Sequence, residues 1–321
     1  MTGIKDSKLF VVTIALLAVY LFWGGTYLGM KIAIESMPPF IMAGTRFFLA
    51  GSILFLIGRW KGAELPSAAE WRGAGIVGAL LLLGGNGVVA WAQLKVPSAI
   101  ASLLIATVPL WILVFNWIGG SKQKPTAGVM GGILFGLAGI AVLVVHPEST
   151  GNQGIDTIGI LALLFASICW AVGSLYSRHA KLPASPIMAT ALQMIIGGSL
   201  LGIASLFLDD WTKLHISEIT LRSWIAFGYL VGFGSIVAYT AYIWLLKNAE
   251  PSLVSTYAYV NPIVAVFLGW LIADEQLTSQ TLIAAVMIIA AVAIITMFRE
   301  KRPGAAQTTV RKEKGKLQVH K

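Results

Sequence analysis

The stretch PSLVSTYAYVNPIVAVFLGW, residues 251–270, reads as a membrane-spanning helix with a proline where a soluble helix would not tolerate one. Pro262 lies mid-run, behind Asn261, Tyr259 and Tyr257. Inside a helix, proline deletes one hydrogen bond and clashes with the carbonyl four residues back, costing ~3 kcal/mol in water. The carbonyl at stake is that of Ala258, and in lipid it must find a partner within the protein. An earlier stretch, PSAIASLLIATVPLWILVFNW (97–117), matches the first so that Pro109 precedes Pro262 by 262 − 109 = 153 residues. There the carbonyl is that of Ile105. A duplicated proline points to paired kinks or hinges rather than to two accidents.

Composition explains the setting. Of 321 residues, 57% are hydrophobic and 12% charged, and the mean hydropathy is +0.81. A soluble domain carries about 25% charged residues, so this chain could not coat a water-facing surface. Its apolar residues fall in ten runs near the ~20 residues that cross a bilayer core. They cover 9–30, 39–58, 73–93, 97–119, 126–145, 157–177, 186–207, 223–246, 253–272 and 280–298. The first is too long for the core of a cleaved secretory signal, and no small-residue cleavage site follows it. The single cysteine, Cys169, allows no intrachain disulfide.

Lysine and arginine favour cytoplasmic loops. With a cytoplasmic N-terminus, eighteen of the 23 fall inside, four (Lys31, Lys95, Lys213 and Arg222) outside, and Arg46 within a span. Both termini are therefore expected in the cytoplasm. The basic tail, 299–321, suits anionic inner-leaflet lipids rather than nucleic acid.

The halves repeat. FWGGTYLGMK (22–31) resembles CWAVGSLYSR (169–178) at an offset of 147, which also sets Gly51–Ser52 on Gly198–Ser199 and Arg46 on Gln193. Each half then holds five spans, 9–145 and 157–298. Five is odd, so the second copy enters the membrane inverted. Loop charge agrees: Lys122 and Lys124 follow the Pro109 span, whereas Asp274 and Glu275 follow the Pro262 span. An all-α fold of ten transmembrane helices in two inverted repeats is a recurrent transporter design, with the solute bound near the midplane.

Five stretches in order, WGGTYLGMKIAIESMPPFIMAGTRF (23–47), GGNGVVAWAQ (84–93), ATVPLW (106–111), ICWAVGSLYSR (168–178) and TYAYVNPIVAVFLGW (256–270), resemble the EamA-type family of the drug/metabolite transporter superfamily, in its ten-span, YedA-like form. The resemblance covers about residues 10–298. It implies an exporter of small metabolites, often amino acids or related compounds. The chain departs from the family at Asp274–Glu275, where Gly–Glu is usual.

Candidate site residues follow from polarity inside the spans. Burying Arg46 near a helix centre costs roughly 2.5–3.5 kcal/mol, and its planar fork suits a carboxylate. The competing reading pairs it with Glu35 or Glu275. Tyr257 and Asn261 share one face of the ninth span, with Tyr259 beside them. Trp23 with Tyr27, and the repeat-equivalent Trp170 with Ser174, could line an aromatic wall. Asn86, Trp91, Gln93, Tyr239 and Tyr242 could wet the same pathway or serve as interhelical contacts. Glu35, Glu250 and Glu275, at span ends, are the carboxylates open to ion coupling, because no acidic residue lies mid-span. Gly128, Gly132 and Gly136, spaced by four, fit close helix packing.

No GxxxxGK[ST] loop is present, so ATP is not expected to drive this chain alone. Neither HExxH nor a mid-span aspartate pair suggests an enzyme. No cofactor or metal is expected. The expected partners are a small-molecule solute and the lipid bilayer, with no nucleic acid and a homodimer left open. The leading reading is a secondary exporter of amino-acid-like, amphipathic solutes working by alternating access. The alternative is a multidrug, lipophilic-cation exporter or an uncoupled facilitator of the same fold.

Overall fold

The structure, a computed structural model, describes residues 2–119, 126–145, 156–249, 253–254 and 256–300. The tail and Glu250, Lys122 and Lys124 lie outside these residues. Within them the regular elements are all helical: α1 Thr2–Ala33, α2 Pro39–Trp60, α3 Ala68–Ala92, α4 Ser98–Ile118, α5 Ala127–Val145, α6 Thr157–Ser177, α7 Pro186–Leu208, α8 Leu221–Leu245, α9 Tyr257–Ala273 and α10 Ser279–Glu300. Eight are long and apolar enough to cross a membrane, and α5 and α9 carry shorter apolar stretches, Ala127–Val142 and Tyr257–Ala273. This is a multi-pass membrane protein.

Helix starts follow their local chemistry. Pro39 and Pro186 open α2 and α7, where a missing N–H is harmless. Ser67 and Glu70 form a capping box on α3, and Asp156 and Thr220 cap α6 and α8. Two starts are capped from another helix instead. The Asp209 carboxylate, just past α7, accepts the N–H groups of Phe40 and Ile41 at 3.2 and 2.7 Å. Glu275, just past α9, accepts those of Ser98 and Ala99 at 2.7 and 3.0 Å. Burial pushes the Asp209 carboxyl up, while its two backbone bonds pull it back.

The two interhelix caps gather at one end of the bundle, opposite the Ser67–Glu70 box, with the Lys95–Asp156 bridge at 3.1 Å and the exposed Arg222–Glu35 contact at 3.9 Å. Lys31 Nζ donates to the Gln93 carbonyl there at 2.6 Å and lies within electrostatic reach of Glu275 and Glu35. This is the capped end.

Packing is ordered by pairs. α2 lies along α7, and α5 along α10. α1 touches α9 and α8, while α6 touches α4 and α3; α3 touches α7, while α8 touches α2. The α2–α7 approach needs glycine: a Cβ on Gly198 would strike the Phe48 backbone and the Gly44 carbonyl. Gly128, Gly132 and Gly136 face Phe298, Ile295 and Ala291 of α10.

Three helices are irregular. α3 is π-helical over Ala79–Gly87, and α8 over Leu230–Val237. In α4 the helix stops at Ile105 and resumes at Val108. Pro109 thus opens a second segment, whereas Pro262 lies inside an unbroken α9. The two prolines occupy different settings because the α4 turn has another partner: Thr107 donates its hydroxyl to Leu104 O at 2.6 Å and accepts the Trp111 indole N–H at 3.1 Å.

Candidate functional site

α8 is the organising element. A π-helix widens the turn by one residue and leaves carbonyls out of the ordinary ladder, and such segments recur at functional sites. Two consecutive residues of the α8 π segment each hold one candidate side chain. Gly234 O accepts the indole N–H of Trp23 at 3.0 Å. Ser235 Oγ accepts the Nε–H of Arg46 at 3.0 Å.

Arg46 is 4% exposed. Its guanidinium lies 4.5 Å from the Phe47 ring centroid, with Gly234 leaving room for one terminal nitrogen. Among the described residues no carboxylate lies within ion-pair distance of it, since Glu35 turns to Arg222 and Glu275 caps α4. The alternative of a structural pair with Glu35 or Glu275 is therefore corrected. A neutral hydroxyl is the only side-chain acceptor that Arg46 has there.

Beside it stands an aromatic cluster. The Trp23 ring centroid lies 5.1 Å from that of Tyr242, 5.4 Å from Tyr257 and 6.2 Å from Tyr239. Tyr242 and Tyr257 meet edge to face at 5.5 Å. Tyr27, one turn beyond Trp23, is tied to α3 through Gln93, whose Nε2 donates to the Tyr27 carbonyl at 2.9 Å. Gln93 Oε1 and Asn261 Oδ1 are buried with no hydrogen-bond partner. A buried acceptor left unmade costs about 1–3 kcal/mol, so each of these atoms would be stabilised by a further donor.

The structure thus brings together Arg46, Trp23, Tyr239, Tyr242 and Tyr257, with Tyr27 close by, Gln93 buried just past α3 and bonded to the Tyr27 carbonyl, and Asn261 buried on α9, which packs against α1. Tyr259 is half-buried on the same helix as Asn261. It does not bring Trp170, Ser174, Asn86 or Trp91 into this cluster. Trp170 packs on Gly85 in the other π segment, and Asn86 Nδ2 donates to Leu81 O at 3.3 Å within α3. Ser174 is half-buried on α6. Trp91 carries Lys95 Nζ at 5.3 Å over its ring, near the capped end. Of the carboxylates, Glu275 is engaged in a cap and Glu35 in a surface contact; Glu250 lies outside the described residues.

Ser235, Thr26 and Tyr229 are the residues that sequence reasoning missed. Thr26 Oγ1 donates to the Trp23 carbonyl at 2.6 Å, and the Tyr229 hydroxyl donates to Phe22 O at 2.9 Å. Only Ser235 had a visible signal, a hydroxyl in the apolar, glycine-rich run LVGFGSIV.

Comparison with known proteins gives the family. The inner membrane transporter YedA of Escherichia coli strain K12 is 41% identical over 284 residues, which cover 88% of this chain and 90% of that one. A protein of the same strain named "Probable amino-acid metabolite efflux pump" is 26% identical over 293 residues, 85% of this chain and 90% of that one. A solved crystal structure with 20% identity has the same fold, with a TM-score of 0.61 over 91% of this chain and 99% of that one. The EamA-like transporter family matches residues 10–145 and again 157–297, so the chain belongs to that family.

Proposed function

We propose that the chain is a secondary transporter that moves small amphipathic metabolites, amino acids or close relatives, by alternating access between two inverted five-helix halves, 9–145 and 157–298. Both termini are cytoplasmic in this reading, and 299–321 is a cytoplasmic tail. Helix packing supports the repeat. Exchanging α1 with α6, α2 with α7, α3 with α8, α4 with α9 and α5 with α10 maps the contacts onto one another: α1–α9 onto α6–α4, α1–α8 onto α6–α3, and α3–α7 onto α8–α2. The two π segments exchange as well.

One observation carries the solute class. Arg46 is a buried guanidinium with a neutral side-chain partner, next to an aromatic cluster held on the adjacent backbone residue. A solute carboxylate would complete the fork of Arg46, and its apolar or ammonium portion would lie against Trp23, Tyr242 and Tyr257. The four-ring cluster also favours a second reading, a lipophilic-cation exporter, against which the positive charge of Arg46 acts.

Thermal unfolding of purified protein with panels of amino acids, organic acids and lipophilic cations separates the two. A solute at ~100 times its dissociation constant stabilises by roughly 2.7 kcal/mol. The expected result is that a carboxylate-bearing solute raises the melting temperature of the wild type and leaves Arg46→Ala unmoved. Arg46→Lys keeps the charge, loses the fork and should bind about tenfold more weakly. Cations that stabilise wild type and Arg46→Ala equally would overturn the carboxylate reading in favour of the second.

A further inference from the structure

α4 is divided by depth. Residues 98–107 are all buried, and the segment Ser98–Ile105 packs against α9. Beyond the break, Val108–Ile118 stays against α6, as Ser98–Ile105 does, but leaves α9, and its residues from Trp111 to Asn116 are only half-buried. At that end a 410 Å³ cavity lies between Phe115 and Asn116 of α4 and Val172, Leu175 and Tyr176 of α6, with Arg178 and His179 at its rim, on the α6 side of α4 rather than in the α9 seam. The α4–α9 contact is therefore made by the Ser98–Ile105 segment, toward the capped end, and Val108–Ile118 does not continue it. Exchange of the halves maps this seam onto itself with its ends reversed, so a two-fold molecule would close both ends alike. The closure is one-sided.

What holds the closed end is chemical. Glu275 uses both carboxylate oxygens on the first two N–H groups of α4, where the helix dipole favours negative charge. Asp274, in the left-handed conformation, turns the chain so that the Glu275 N–H returns to Gly269 O at 3.1 Å. Gly269 has no side chain where the Glu275 carboxylate and Ser98 Oγ must sit. The residue 153 positions before Glu275 is Lys122, whose ammonium cannot accept a hydrogen bond from a helix N-terminus. One end of the seam thus has a carboxylate clamp, whereas the position equivalent to Glu275 carries a lysine.

We propose that Glu275 is the latch of the outer gate: it clamps α9 to α4, biases the empty carrier toward the inward-open state, and must release the α4 N-terminus when access alternates. The proposal rests on the alternating-access reading above and names the residue that regulates it.

Cysteine accessibility tests the latch without knowledge of the solute. In a Cys169→Ser background, Ser102→Cys reports on the seam, because Ser102 is 1% exposed and lies one turn below Ser98 on the same face. A membrane-impermeant maleimide applied to intact cells should label it slowly. Adding Glu275→Ala should speed labelling by roughly tenfold or more, as both charge-assisted contacts to the α4 N-terminus are lost; Glu275→Gln, keeping one acceptor oxygen, should fall between. Asp209→Ala, which removes the comparable cap from α2 outside this seam, should leave labelling slow. Unchanged labelling in Glu275→Ala, or an equal rise in Asp209→Ala, would overturn the latch. Asn116→Cys, labelled from the other side in inverted vesicles, separates the latch from the reading beneath it. Its protection by Glu275→Ala supports both, whereas opening at Ser102→Cys with Asn116→Cys unchanged keeps the clamp and defeats alternation.

Discussion

Asp274 is the one non-glycine residue with positive φ among the described residues, at 52°. Left-handed backbone costs a residue with a Cβ roughly 1–2 kcal/mol, less for aspartate, whose short side chain can hydrogen-bond locally. Asp274→Gly should therefore raise the unfolding free energy by about 0.5–1 kcal/mol, read as a higher melting temperature; a fall would mean that the aspartate side chain contributes more than the backbone conformation costs. The sequence showed this position as a departure from the family's Gly–Glu but could not show its conformation. Arg46 was legible because a charge within an apolar run is conspicuous. Its partner Ser235 was not, because it stands 189 residues away, and long-range pairing leaves no mark in local pattern. Glu275 was legible as a carboxylate at a span end, but its work as a cap depends on where the start of another helix falls.

At the scale of elements, hydropathy outlined the helices because each must bury or face lipid with an apolar surface. It could not outline the π segments, since a shift of hydrogen-bond register changes no side chain; the glycines of GGNG and GFGS were their only trace. The break in α4 was hidden for a related reason, as proline signals a disturbed ladder without saying whether the helix bends or stops. Glycine spacing was more informative where two helices touch. A methyl group on Gly198 meets α2 backbone, which cannot rotate aside. Gly198→Ala should cost about 1–3 kcal/mol by overpacking, checked by thermal unfolding. Gly202→Ala, where an added Cβ meets nothing within 4 Å, should be near neutral in the same assay.

At the scale of the whole molecule, the halves are tied at the capped end by polar contacts that respond to conditions. Lys95 at the end of α3 bridges Asp156 at the start of α6, and its hydrogen bond, with those of the Gly159 and Ile158 N–H groups, holds the Asp156 carboxyl below the usual range. A lowered folded value stabilises above the unfolded value of about 3.9, and the benefit fades as pH falls through the folded value. Wild type should therefore melt above Asp156→Asn at pH 6, with the gap closing below about pH 4; because the pair is solvent-exposed, salt should narrow it too. Arg46 has a different relation to its surroundings. With no carboxylate beside it among the described residues, Arg46 would give the empty form of the proposed transporter a buried positive charge, for which a full crossing against 100 mV is worth about 2.3 kcal/mol. A bound monocarboxylate anion would cancel that charge, whereas a zwitterionic amino acid would leave it in place. Voltage would then act on the return of the empty protein rather than on the passage of an anionic cargo, but on both steps alike for a zwitterionic one, so the voltage dependence of transport would tell the two solute classes apart.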